Sequence, residues 1–365
     1  MQKNSQPTAV ELPPNPVWRS YLGGSVLRRF RGALETPDDH LPEDWLASTV
    51  RARNGIHARD PEEGLSRVSM DGKSLLLADW LEKEPEFWFG SSEGEKPRGP
   101  GVLWKLLDSS VRLHLQAHPS AAFARRYLNS NAGKTECWYI LSTRGEGHVH
   151  LGFQHAPDSS AWERMIREQR LEEMRACFEK IPVRPGECYV VPAGTPHAIG
   201  EGVFMLELQE PTDWVVRCEF AAGGLTLPPE SCLMGLSVET CMEVFDFAPT
   251  PIEQVRRKWQ QQPRVLRETG GLREEEIIGA NHHEFFRLHR LRGTGDVDWT
   301  GGELMLLIAL KGEGAISGGG TPTKAGAGQT LLLPGSARQW HWDGVGGDWE
   351  ILLAKRPAKT ESGQE

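Results

Sequence analysis

Long apolar runs are absent from this chain. Across its 365 residues no stretch approaches the roughly 18 consecutive apolar residues of a membrane span, and no basic-then-apolar segment opens it, so a cytoplasmic protein is expected. Cysteine is scarce: Cys137, Cys177, Cys188, Cys218, Cys232 and Cys241 are the only six, without a C-x-x-C pair. A disulfide scaffold is thereby excluded, and the six read as reduced core thiols. Positive charge also falls short, with 41 Lys and Arg against 50 Asp and Glu and a formal net charge of -9. That balance argues against nucleic acid, and an anionic metabolite needs a local basic pocket to overcome the field. What is plentiful is turn chemistry. Forty glycines and 25 prolines punctuate short apolar runs in a chain that is 38% hydrophobic and 25% charged, which fits a soluble, turn-rich β protein long enough for two domains.

Along the chain, residues 1–14 are polar and Pro-rich and read as a flexible tail. Glu43 to Val50 reads as an edge strand packed by Trp45, and residues 71–90 carry Leu75, Leu76, Leu77, Trp80 and Leu81 at helical spacing. Val102 to Leu107 is an apolar strand. Between 158 and 180 the period becomes 3.6, with Trp162, Met165, Ile166, Leu171, Met174 and Phe178 set among charges, and a helical insertion is expected. Residues 249–280, rich in Gln, Arg and Glu and punctuated by Pro249, Pro251 and Pro263, predict a helical connector.

Chemistry-bearing residues concentrate in three stretches. In Val111-Arg112-Leu113-His114-Leu115-Gln116-Ala117-His118-Pro119, period two puts Val111, Leu113, Leu115 and Ala117 on one face and His114, Gln116 and His118 on the other. A face rich in imidazole is costly in an apolar strand unless it meets solvent or lines a site. After the loop Asn129 to Lys134, Glu136 opens the strand Thr135 to Leu141, where a carboxylate can reach a metal. The third stretch runs from Gly186 to His197. Its Tyr189, Val190 and Val191 favour a strand, Pro192 and Gly194 end the pairing and bend the chain, and His197 starts the return. Each stretch alone has an ordinary structural explanation; together they point to a shared metal site. The spacing of Gly186, Pro192, Gly194 and His197 resembles the second signature motif of the cupin β-barrels, whose histidine is a metal ligand.

The C-terminal 80 residues repeat this pattern in worn form. Gly312-Glu313-Gly314 echoes Gly145-Glu146-Gly147, and Gly328 stands to Pro334 as Gly186 does to Pro192. The two markers lie about 25 residues further apart in the first copy, the length of the helical insertion. A mainly β chain with two cupin-type, jelly-roll barrels is therefore expected. The boundaries read as a catalytic cupin domain over 15–248 with its insertion near 158–180, the connector over 249–280, a second, degenerate cupin domain over 281–356 and a flexible tail over 357–365. In the second copy Gln339 stands where His197 does, although Glu303 aligns with Glu136 and His289 lies on an upstream strand.

Four segments, in order, carry a more specific resemblance: Trp104-Lys105-Leu106-Leu107-Asp108, Gln116-Ala117-His118-Pro119, Gly133-Lys134-Thr135-Glu136-Cys137-Trp138-Tyr139-Ile140-Leu141 and Val191-Pro192-Ala193-Gly194-Thr195-Pro196-His197-Ala198-Ile199. They resemble the type I mannose-6-phosphate isomerase family, zinc-dependent bicupin enzymes, over nearly the whole chain. The resemblance implies that Gln116, His118, Glu136 and His197 bind the metal, that Arg217 is the catalytic arginine, and that Lys134 and Glu207 belong to the site. Two positions depart from the family pattern. Its serine two residues before the ligand glutamine is replaced here by His114, and acidic residues after His-Pro are replaced by Ser120-Ala121. His114 thus falls in the substrate pocket, with competition against Gln116 for the metal as the lesser alternative.

Two imidazoles, one carboxylate and one amide oxygen form a donor set of charge -1, which leaves a divalent ion residual positive charge and open positions. Zn2+ is the first choice, with Mn, Fe or Co acceptable to the same ligands. An aldose-ketose isomerisation needs a base, an oxyanion stabiliser and a means of holding an open-chain sugar. Arg217 suits the enediolate, Glu207 or Lys134 the proton, and His114 and Lys134 the substrate. The expected reaction interconverts mannose 6-phosphate and fructose 6-phosphate, with a small sugar phosphate as partner and neither nucleic acid nor membrane. A non-catalytic, metal-containing sugar-binding or regulatory bicupin, and an isomerase of another sugar or sugar phosphate, are the alternatives.

Overall fold

The computed structural model describes residues 8–34, 36–70, 72–90, 99–280 and 284–357. Its strands form three antiparallel sheets of seven, five and nine strands, with two separate hairpins. The seven-stranded sheet takes in Glu43–Leu46, Leu103–Ser109, Glu136–Thr143, Cys188–Val191 and Val203–Gln209. The five-stranded sheet takes in Gln116–Ala117, His148–Leu151, His197–Ile199 and Val216–Arg217. Between them lie Trp138, Ile140, Val191 and Met205 from the first sheet, packed on Val149, Leu151 and Ile199 from the second.

Period two explains how the two barrels adhere. In Glu136–Thr143, Trp138 and Ile140 point into the first barrel while Cys137 and Tyr139 point outward. The outward set packs on Leu306, Ile308, Leu352 and Ala354 of the nine-stranded sheet. A strand buried on both faces needs apolar residues at every position, which accounts for the unbroken run after Glu136. The alternate residues Met305, Leu307 and Ala309 fill the second barrel with Trp340, Trp342 and Trp349. The expected insertion forms helices Ser159–Glu168 and Leu171–Ala176, the first capped by Asp158 accepting from the Ala161 N–H. Trp162, Ile166 and Met174 press on Leu115, Ala117, Ala198 and Val216, which covers the outer face of the five-stranded sheet. Among the described residues no helix is long and apolar enough to cross a membrane.

Four stretches differ from the sequence pattern. The N-terminal tail is in part a strand: Val10–Glu11 pairs with Leu332 and Leu331, and Ala9 and Leu12 are buried. Residues 1–7, 281–283 and 358–365, parts of the expected tails and second barrel, lie outside the described residues. Glu43–Leu46 is no edge strand, since it sits between Pro16–Val17 and Leu103–Ser109 and is buried throughout. In 71–90, Lys73–Leu76 closes a hairpin with Arg67–Met70 before helices Leu77–Lys83 and Pro85–Phe89.

The connector over 249–280 is helical only at Ile252–Trp259. Arg264–Thr269 and Leu272–Ile278 are antiparallel strands that extend the nine-stranded sheet. The charges that suggested a solvated helix are cross-strand partners instead, Arg264 with Glu276 and Arg267 with Glu274. Gly270 and Gly271, at φ 57° and 85°, make the turn that a helix would not need.

Candidate active site

Three strands of the five-stranded sheet set one wall of the site. Gln116 is paired with His197 on one side and with Arg217 on the other. The facing sheet contributes Glu136, and two residues further along the same face Trp138 lies opposite Glu207, which in turn pairs with Lys105. The end of one barrel thus gathers residues from positions 105 to 217.

At the centre, the ligand atoms of His118, Glu136 and His197 lie within 4.8 Å of one another and all three side chains are buried. His118 Nε2 is 3.0 Å from Glu136 Oε1, and His197 Nε2 is 3.6 Å from Oε2, which also accepts from Trp138 Nε1 at 3.0 Å. The opposite ring nitrogens are committed. His118 Nδ1 meets the Trp214 carbonyl and His197 Nδ1 the Thr195 carbonyl, each at 2.9 Å. A carbonyl only accepts, so both rings carry their proton on Nδ1 and direct an Nε2 lone pair inward. Metal-binding histidines are oriented in this way. Burial keeps the rings neutral: it lowers His118 to about 3 against the pull of Glu136, and it lowers His197 as well.

Lys134 Nζ donates to Glu136 Oε1 at 2.5 Å and lies 3.0 Å from His118 Nε2. Burial works to raise the Glu136 carboxyl, while His118 and Lys134 beside it work to lower it, and the lowering wins. With the rings neutral, Lys134 is the standing positive charge. Gln116 Nε2 lies 3.2 Å from His197 Nε2, and a half-turn of the amide presents Oε1 to the same point. Two inward imidazole lone pairs, an ionised carboxylate and an amide fit a divalent cation.

Behind the cluster, Glu207 Oε2 is 3.1 Å from Lys105 Nζ, which is 3.7 Å from Glu43 Oε2. Glu43 also accepts from Arg19 Nε at 2.8 Å and from the Tyr21 hydroxyl at 2.7 Å. Burial, then the negative charge of Glu136, pushes the Glu207 carboxyl up to about 8, despite Lys105. Lys134, Glu207, Gln116 and Arg217 line one cavity of about 40 Å³. Among the described residues the Arg217 side chain has no hydrogen bond or ion pair.

His114 also lines this cavity, but its ring is spent. Nδ1 donates to the Glu219 carbonyl at 2.7 Å, and Nε2 accepts from Ser20 Oγ at 3.0 Å. Burial and the nearby Arg217 lower it to about 4, and it stands outside the ligand cluster. The geometry places it against the cavity, as expected of a pocket residue, but with both ring nitrogens engaged and outside the ligand cluster. The period-two reading of 111–119 holds for His114, Gln116 and His118, which meet the cavity or the cluster, and for Leu115 and Ala117, which pack under the helices on the other side, but not for Leu113. Only Gln116–Ala117 is strand, because the Glu219 carboxylate takes the Leu115 N–H at 2.8 Å and Leu113 turns into the cavity.

Arg19, Tyr21, Glu43, Lys105 and Asp213 also line the cavity and were not singled out from sequence. Lys105 had a legible signal, as the lone cation within the apolar run Val102 to Leu107. The others had none. In the second barrel Glu303 is ion-paired with Arg287, His289 lies 3.5 Å from Glu274, and Gln339 is exposed.

Over 334 residues the chain is 28% identical to the mannose-6-phosphate isomerase of Streptococcus mutans, which spans 91% of this chain and 93% of that protein. The mannose-6-phosphate isomerase ManA of Bacillus subtilis is 36% identical over 208 residues, 55% of this chain and 58% of the relative. No family model matches the chain. A crystal structure of the Bacillus subtilis mannose 6-phosphate isomerase shares the fold, with a TM-score of 0.73 at 21% identity over 95% of this chain and 99% of that one. The chain belongs to the mannose-6-phosphate isomerase family.

Both departures from the mannose-6-phosphate isomerase pattern have a structural account. His114 is locked between Ser20 and Glu219, so its imidazole braces the wall. Ser120, where the family has an acidic residue, caps the helix Ala121–Tyr127 by accepting from the Phe123 N–H at 3.2 Å.

Proposed function

We infer that this protein is a metal-dependent aldose-ketose isomerase interconverting mannose 6-phosphate and fructose 6-phosphate. One observation carries the reading: the buried His118, Glu136 and His197 cluster shares its surroundings with a buried carboxyl, Glu207, and with Arg217, whose guanidinium has no hydrogen bond or ion pair among the described residues. The family relatives over nine-tenths of the chain support it. A divalent cation, zinc first and Mn, Fe or Co on the same donors, would be held by His118, Glu136, His197 and Gln116, and would supply Lewis-acid charge for a substrate oxygen.

The remaining roles fall to the chain. Arg217, permanently charged and without a hydrogen-bond or ion-pair partner among the described residues, stabilises the enediolate formed when a proton moves between C1 and C2. Glu207 or Lys134 carries that proton, taking it from one carbon and returning it to the other, and Lys134 also balances the charge of Glu136. Lys105 holds Glu207 in place. The first barrel, within 15–248, performs the chemistry and the second barrel supports it. A sugar phosphate substrate and six free, buried cysteines fit a cytoplasmic protein. The test is a coupled assay for fructose 6-phosphate from mannose 6-phosphate with purified, metal-loaded protein. Metal bound without turnover overturns this reading in favour of a non-catalytic bicupin.

A further inference from the structure

The chamber beside the ligand cluster, about 40 Å³, has room for a few waters and not for a hexose phosphate. Asp213, Val215 and Arg217 are shared between this chamber and an outer groove of about 980 Å³. The carbonyl end of an open-chain sugar is therefore the part that points inward, and its far end lies in the groove. A net charge of -9 disfavours an anion there unless local cations override it.

Besides Arg217, two such cations, Arg51 and Arg53, line the groove, which also carries the carboxylates of Asp79, Asp213 and Glu230. Arg51 is engaged with the Pro61 carbonyl. Arg53 is held by its backbone, whose N–H donates to Asp213 Oδ2 at 2.8 Å, and its guanidinium carbon sits 3.4 Å from the centroid of the Trp214 ring. Among the described residues that guanidinium has no hydrogen bond or ion pair. Asp213, the acid whose charge acts on it, is ion-paired with the buried Arg19. Stacking on an indole fixes the plane of a guanidinium while its edge donors stay open, the arrangement suited to a bidentate phosphate contact. Trp214 also ties this cation to the chemistry, because its carbonyl orients His118. His114, in the position of the family's hydroxyl, has no free ring nitrogen to offer.

We propose that Arg53, stacked on Trp214 in the outer groove, receives the phosphate of the substrate and sets this chain's preference for phosphorylated over free sugar. The proposal rests on the isomerase reading above. Arg53→Ala is expected to raise the KM for mannose 6-phosphate about tenfold to a hundredfold, as loss of charge-assisted hydrogen bonds implies, with kcat changed less than about threefold. Arg53→Lys, which keeps charge without the fork, falls between. Calorimetry with glucitol 6-phosphate and with glucitol provides a second readout: Arg53→Ala brings the phosphorylated polyol down to the affinity of the free one and leaves glucitol unchanged. Arg53 is exposed, so the variant keeps its fold, which its melting temperature verifies. A folded Arg53→Ala with unchanged KM and unchanged glucitol 6-phosphate affinity overturns the proposal. Should the parent protein turn over no mannose 6-phosphate, the isomerase reading fails, and the calorimetry alone decides whether Arg53 recognises phosphate.

Discussion

His118 and Trp214 are joined by a hydrogen bond of 2.9 Å from a ring nitrogen to a backbone carbonyl, and that bond decides which nitrogen of His118 faces Glu136. His197 is governed in the same way by Thr195, two residues before it in the turn. The ligand cluster is thus oriented by backbone that the fold holds regardless of any bound ion.

Removing either ring is therefore expected to cost metal and not fold. His118→Ala and His197→Ala each lose at least about a hundredfold in metal affinity, since even the partners that orient ligands are worth 10- to 100-fold. Elemental analysis checks this, and metal content near the parent's in both variants would rule out the site.

Gly194 makes a second demand on the same turn. Its φ of 89° is left-handed, an added Cβ would meet the Val244 carbonyl oxygen at 3.0 Å, and its N–H donates to the His118 carbonyl at 2.8 Å. Gly194→Ala is expected to destabilise by about 1–2 kcal/mol from the left-handed penalty alone, and to weaken metal binding because the turn carries His197. Urea denaturation and metal titration report the two effects separately.

The Lys105 and Glu207 pair is buried on both sides. Lys105→Met leaves Glu207 and Glu43 short of a counter-charge and is expected to destabilise by about 3 kcal/mol, in the range for breaking a buried pair. Lys105→Met combined with Glu207→Leu should recover part of that loss while remaining inactive. A double variant less stable than Lys105→Met by urea denaturation contradicts the pairing.

His114→Ser tests the bracing role of the imidazole. Deleting the ring leaves the Ser20 hydroxyl and the Glu219 carbonyl without their partner, which is expected to cost about 1–3 kcal/mol. Metal content stays at the parent level, because His114 is outside the cluster. Loss of metal from His114→Ser would show that the ring belongs to the ligand set after all.

Glu219 is one of the carboxylates that should make the protein sensitive to acid. Burial works to raise this carboxyl, but the hydrogen bond and charge of Arg112, with help from the Leu115 N–H and Arg175, hold it below the usual range. A depressed folded-state value means that its stabilisation is complete above the unfolded value, about 4.3, and is lost as pH falls toward the folded one. The parent's urea midpoint is expected to drop more steeply below about pH 4.3 than that of Glu219→Gln. Parallel curves for the two proteins would remove Glu219 from the account.

The sequence by itself determined the strands, the paired barrels and the metal-binding residue types, because alternation and turn chemistry act over a few residues. Glu136, the turn through Gly194 and the insertion with Trp162 and Ile166 were all legible on that scale. The hairpin of 264–278 was not, since Arg264 and Glu276 look alike on a helix or across a ladder, and the sheet edge they extend is set by residues elsewhere. Likewise, nothing near Arg19 or Asp213 announces that their charges meet behind the cavity, nor does Arg53 reveal in sequence that it lies on Trp214. Tertiary structure alone decided that His114 braces the wall while His118 joins the cluster. The two lie on one face by period, and they differ only in which distant carbonyl, Glu219 or Trp214, and which distant side chain, Ser20 or Glu136, the fold brings to the ring.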